Sequence, residues 1–164
     1  MNIATEDYVQ VDSRAAEIGC QRPTGMTLLP ENFQSATSYA ELRQLSEAAT
    51  VRTLFRTNGL PLYDVLDPSK PSPYIQNNSF EWAGPTLFVS SALVSENPTV
   101  VTVALGVLAN YLTDFLKGIS GKTEVSLSIV VEKRTDRTCK RITYKGNVEG
   151  LSSLADIVKS TSDE

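Results

Sequence analysis

All eight prolines of the 164-residue chain fall at or before position 98. Proline fixes φ and removes a backbone donor, so only residues 99–164 are free to build long uninterrupted elements, and residues 1–98 must be punctuated. That partition sets the reading of each half.

In the second half, Asn97-Pro98 supplies a helix start, and TVVTVALGVLANYLTDFLK follows. Its apolar positions Val101, Ala104, Leu105, Leu108, Leu112, Phe115 and Leu116 form one wide stripe, which Val100, Val103, Val107 and Tyr111 widen further. Only Thr102, Asn110, Thr113 and Asp114 mark a polar side. A helix apolar over most of its circumference requires burial on two sides. The helix is therefore expected to be either a central core helix or a self-association face, and in the second case Val101, Leu105, Leu108, Leu112 and Phe115 would meet a protein partner or a homo-oligomer. The same apolar stretch also has a reading as a membrane-associated element, although Asn110 and Asp114 interrupt it.

From Glu124 the period changes to two. Val125, Leu127, Ile129 and Val131 predict a half-buried strand, and TCKRITYK (138–145) a returning one with Ile142 and Tyr144 turned inward. Val148, Leu151, Leu154, Ala155, Ile157 and Val158 predict a closing amphipathic helix.

The first half is less regular. Residues 1–37 hold no sustained period and contain Pro23, Gly25 and Pro30, which predicts an extended N-terminal arm. Ser38-Tyr39-Ala40-Glu41 has the form of a capping box, and Leu42, Leu45, Ala48, Val51, Leu54 and Phe55 keep helical spacing, so a helix is expected over 39–57. LPLYDVL (60–66) suggests a short strand, residues 67–84 a proline-rich loop, and TLFVSSALV (86–94) a short helix. The expected fold is α+β. A small antiparallel hairpin sheet packs on a long apolar helix, with further short helices, in one domain over 38–164 preceded by an arm over 1–37.

Charge is polarised. Residues 1–116 hold six basic and twelve acidic side chains, and residues 117–164 hold nine and seven. Within the hairpin, Lys133, Arg134, Arg137, Lys140, Arg141 and Lys145 face only Asp136. Such a cluster suits an acidic protein surface or the phosphates of a nucleic acid, and equally a strand edge kept soluble by charge.

No histidine is present, which removes histidine triads, histidine-ligated metals and the usual base near neutral pH. Gly121-Lys122-Thr123 ends like a phosphate-binding loop, but Leu116 stands where that loop needs its first glycine, and the strand and helix come in reversed order. Glu132 with Asp114 upstream loosely suggests a metal-dependent nuclease. Lys133, adjacent to Glu132 in a strand, would point to the opposite face. Cys139 beside Lys140 and Arg141 is in a setting that lowers a thiol pKa, yet has no base to pair with. No catalytic, cofactor-binding or metal-ligating residue is assigned. Cys20 and Cys139 are too isolated for a disulfide framework, and the acidic N-terminus lacks a signal peptide, so the expected compartment is the cytoplasm.

Residues 99–158, an apolar helix, then SLSIVVEKRTDRTCKRITYKG and VEGLSSLADIVK, resemble in layout the small effector-associated modules of bacterial conflict and defence proteins. The resemblance implies a noncatalytic adaptor joining a sensor to an effector, in a cytoplasmic antiviral defence complex. It assigns no functional residues.

Overall fold

The computed structural model describes residues 2–75, 82–117 and 124–164. Its elements are β1 (Asn2–Tyr8), α1 (Val11–Ile18), β2 (Met26–Leu29), a 3₁₀ turn (Tyr39–Glu41), β3 (Gln44–Leu45), α2 (Glu47–Thr57), β4 (Tyr63–Asp64) and β5 (Tyr74–Ile75). There follow β6 (Trp82–Ala83), β7 (Thr86–Val89), α3 (Ser91–Glu96), α4 (Thr99–Phe115), β8 (Val125–Glu132), β9 (Cys139–Gly146), a 3₁₀ segment (Val148–Ser153) and α5 (Leu154–Ser162).

The chain is α+β, but the sheet is larger than a hairpin. Seven strands run in the order β1-β9-β8-β7-β2-β4, with β6 beside β8 as well. The pairings β1–β9, β9–β8 and β7–β2 are antiparallel, while β8–β7, β8–β6 and β2–β4 are parallel. The reason lies in β8. Ile129, Val130, Val131 and Glu132 are all buried, so this end of the strand is covered on both faces and cannot be an outer strand.

Leu127, Ile129, Val131, Ile142, Tyr144, Leu87, Val89, Met26 and Leu28 share one core with α2, α4 and α5. Ile142 and Tyr144 point inward as their alternation requires, and the Tyr144 hydroxyl donates to the Asn147 carbonyl at 2.7 Å. Val130, Phe88, Leu29 and Cys139 form the second core with Val11, Ala15 and Ile18 of α1 and with Phe33, Leu42 and Val65. Arg14 of α1 anchors the loop in this layer, donating from Nε to the Phe33 carbonyl at 2.9 Å and from Nη2 to that of Ala36.

Several expectations are corrected. Residues 2–37 are not an extended arm preceding the domain but part of it, because they supply an edge strand, a packed helix and β2. The helix expected over 39–57 forms only from Glu47. Ser38 makes no side-chain cap, and the Glu41 carboxylate accepts instead from the Thr37 amide and hydroxyl at 3.0 and 2.7 Å. The strand expected over 60–66 is reduced to Tyr63–Asp64. The 86–94 helix divides into β7 and α3, whose boundary Ser90 fixes by accepting from the Leu93 amide at 3.2 Å. Part of the 67–84 loop is sheet. From Trp82 to Leu87 the chain advances five residues while β8 advances four, Val125 to Ile129, so Gly84-Pro85 holds a one-residue bulge. A Cβ on Gly84 would lie 2.7 Å from the Trp82 ring and 2.9 Å from Leu127. Gly121-Lys122-Thr123 lies outside the described residues.

Candidate interaction surfaces

The basic cluster is divided and partly neutralised from within. β1 runs antiparallel to β9 with Glu6 opposite Arg141, Asp7 opposite Lys140 and Asn2 opposite Lys145. Arg141 Nη2 is 2.9 Å from Glu6 Oε1, Lys140 Nζ is 3.7 Å from Asp7 Oδ1, and Arg137 Nη1 is 3.9 Å from Asp12 Oδ2. Strand alternation also separates the cluster. Lys140 shares a face with Ile142 and Tyr144, and Arg141 and Lys145 share the opposite one, while Lys133, Arg134 and Arg137 sit at the turn. The acidic front of the sequence thus meets its basic tail inside one chain. Exposed pairs of this kind contribute only about 0.2–1 kcal/mol each. Their greater effect is on register, since a shift of β1 by one residue would move every side chain to the other face.

The expected association face is corrected as well. Val101, Leu105, Leu108 and Leu112 are 0–4% exposed, buried in the core that α4 shares with the sheet, α2 and α5. Of the five positions only Phe115 is open, at 50%. The apolar side chains that α4 leaves wholly or partly outside form a different stripe with spacing of four: Val103, also 50% exposed, the half-buried Val107 and Tyr111, and Phe115. The Tyr111 and Phe115 rings stack with centroids 5.8 Å apart. Beside the stripe, Tyr111 and the small residues Ala49, Thr50, Thr53 and Thr57 of α2 line a groove of about 460 Å³. Above Gly106, midway along α4, the space is open. Among the described residues, no helix is long and apolar enough to cross a membrane.

The residues weighed for chemistry have structural tasks. Glu132 is 5% exposed, and its Oε1 accepts from the Ser91 amide at 3.0 Å and the Ser91 hydroxyl at 2.9 Å, closing the start of α3. Asp114 pairs with Lys117 at 3.6 Å on the exposed end of α4. Among the described residues no three potential metal ligands converge. Burial pushes the Cys139 thiol up to about 11, against the lowering expected from its cationic neighbours, and burial does the same to Cys20, also to about 11. Sequence reasoning missed the cleft beside Arg52, because it depends on packing between α2, β4 and the 66–74 segment, which no local pattern encodes.

Comparison of the chain with protein-family models, curated proteins and solved structures returned no match.

Proposed function

We propose that the protein is a noncatalytic assembly subunit of the cytoplasm, and that the face it presents for assembly is the outer side of α4, docked against a second copy. The observation that carries this reading is the stripe Val103, Val107, Tyr111 and Phe115, in which Val103 and Phe115 are half exposed and Val107 and Tyr111 half-buried, on a helix whose inner side is already packed in the core. A second copy suits it in three respects. Gly106 stands halfway between Glu96, just ahead of α4, and Lys117, just beyond it, so an antiparallel pair crossing there brings each Lys117 toward the other copy's Glu96. The crossing point has no side chain to hold the helices apart. Tyr111 and Phe115 of one copy then fall over the smaller Thr102, Val103 and Thr99 of the other, and the negative end of each helix meets the positive end of its partner. Within a bacterial defence complex, such a dimer would be a symmetric platform joining sensor to effector.

The experiment is a charge exchange measured by sedimentation. Glu96→Lys and Lys117→Glu each weaken the dimer, and the double variant recovers most of the loss. Equal, additive losses with no recovery would refute the antiparallel arrangement. The internal pairing of Lys140, Arg141 and Arg137 favours this reading over a nucleic-acid interface on the hairpin, because three of the six cations such an interface would use already face carboxylates.

A further inference from the structure

A cleft of about 390 Å³ opens between α2, β4 and the 66–74 segment. Its central feature is an ion pair, Arg52 Nη2 to Asp64 Oδ2 at 2.6 Å, with both side chains partly buried. The other oxygen of Asp64 accepts from the Leu66 amide at 3.0 Å, so the carboxylate is fixed and holds one end of the guanidinium, beside which the Tyr74 hydroxyl also lies. An arginine held in this way keeps further N–H groups of its fork for another oxyanion.

Two more groups line the same space without having used their full capacity. The Ser72 hydroxyl is buried and has no hydrogen-bond partner among the described residues. A buried orphan hydroxyl is unfavourable until a ligand atom satisfies it. Asp67 has one oxygen occupied, Oδ1 accepting from the Ser69 amide and hydroxyl at 2.9 and 2.8 Å, and Oδ2 is left. Leu62, Leu66, Pro68 and Pro71 make the rest of the wall apolar.

The charges select the ligand. Arg52 is balanced by Asp64, leaving Asp67 as the net charge of the cleft. A phosphate or other anion would meet two carboxylates for one guanidinium, and a bare cation would meet the guanidinium. A molecule carrying both charges close together, with an apolar remainder, meets Arg52, Ser72, Asp67 and the apolar wall at once. We propose that this cleft binds a free α-amino acid with an apolar side chain. Its carboxylate lies on Arg52 and the Ser72 hydroxyl, its ammonium on Asp67, and its side chain against Leu62, Leu66 and the two prolines. The site is independent of the α4 stripe, which none of these residues lines.

The test is calorimetric titration of the full chain with L-leucine, L-methionine and L-phenylalanine. Leucinamide, which lacks the carboxylate, and N-acetyl-leucine, which lacks the ammonium, serve as controls. At least one of the three amino acids binds with a Kd below about 1 mM, and both controls bind at least about tenfold more weakly. Asp67→Asn and Ser72→Ala each weaken binding about tenfold, with circular dichroism and thermal unfolding showing that the fold is retained. No heat from any of the three at about 10 mM, controls that bind as well as leucine, or an Asp67→Asn variant that binds as the wild type would each overturn the assignment.

Discussion

Leu108→Ala separates the two faces of α4 most sharply. Leu108 is 0% exposed and lies in the core that α4 shares with the sheet, α2 and α5. Trimming its isobutyl side chain to a methyl forfeits the transfer free energy of three carbons and leaves a cavity that rigid strands on one side and helices on the other can only partly collapse. The cost for such a site is about 3–4 kcal/mol. For a domain of this length each kcal/mol lowers the midpoint by about 2–4 °C, so thermal unfolding followed by circular dichroism should show a fall of about 6–16 °C. Val103→Ala, five residues earlier, is the internal control. Val103 is half exposed, so its truncation should alter the stability of the folded chain by no more than about 0.5 kcal/mol. The two variants should also differ in association, with Val103→Ala dissociating at higher protein concentration than wild type and Leu108→Ala leaving the association of the folded fraction unchanged. A Leu108→Ala protein that melts within a degree or two of wild type yet fails to associate would refute the placement of Leu108 in the core.

Three further outcomes follow from individual contacts. Glu132→Ala leaves the Ser91 amide without its acceptor in a buried setting and should cost about 2–3 kcal/mol in urea unfolding, whereas Glu132→Gln, which keeps an acceptor oxygen, should cost less. Gly84→Ala drives a methyl group into the Trp82 ring and Leu127 at the bulge, and about 1–3 kcal/mol of destabilisation with altered tryptophan fluorescence is expected. Burial raises Cys20 and Cys139 from 9.0 to about 11 and Tyr8 from 10.0 to about 12, so above pH 9 the unfolded chain releases protons that the folded chain retains. Stability is therefore unaffected by these groups below about pH 9 and falls as pH rises toward 11–12, and Ellman's reagent at pH 8 should react slowly until denaturant is added.

The sequence made α4, β8, β9 and the closing helical segment legible because each spans eight or more residues and carries a recognisable period over most of that length, broken in β8 by Val130 and in β9 by Cys139. β7 was not legible, since four consecutive apolar or β-branched residues before two serines fit a buried strand and a short helix equally. β1 was hidden for another reason. NIATEDY alternates in nothing, and it becomes a strand because Glu6 and Asp7 meet Arg141 and Lys140 across an antiparallel pair. The asymmetry between an acidic front and a basic tail was therefore visible, and it described a contact within the chain. The same limit applies to α4. Its composition marked it as a helix to be buried, but which side is buried depends on the sheet beneath it, so Leu105, Leu108 and Leu112 lie in the core and the apolar side chains that reach the surface are Val103, Phe115 and, in part, Val107 and Tyr111. The Arg52 cleft joins residues from four separate stretches between Gln44 and Tyr74 and left no local signature.

Assembly of two copies through the outer stripe of α4 can be measured by sedimentation velocity across a concentration series of the wild type and of Val103→Glu. The wild type should sediment as a species of twice the chain mass, and Val103→Glu as a folded monomer with an unchanged circular dichroism spectrum. A wild type that stays monomeric to about 100 µM, or a Val103→Glu protein that associates as the wild type does, would contradict it.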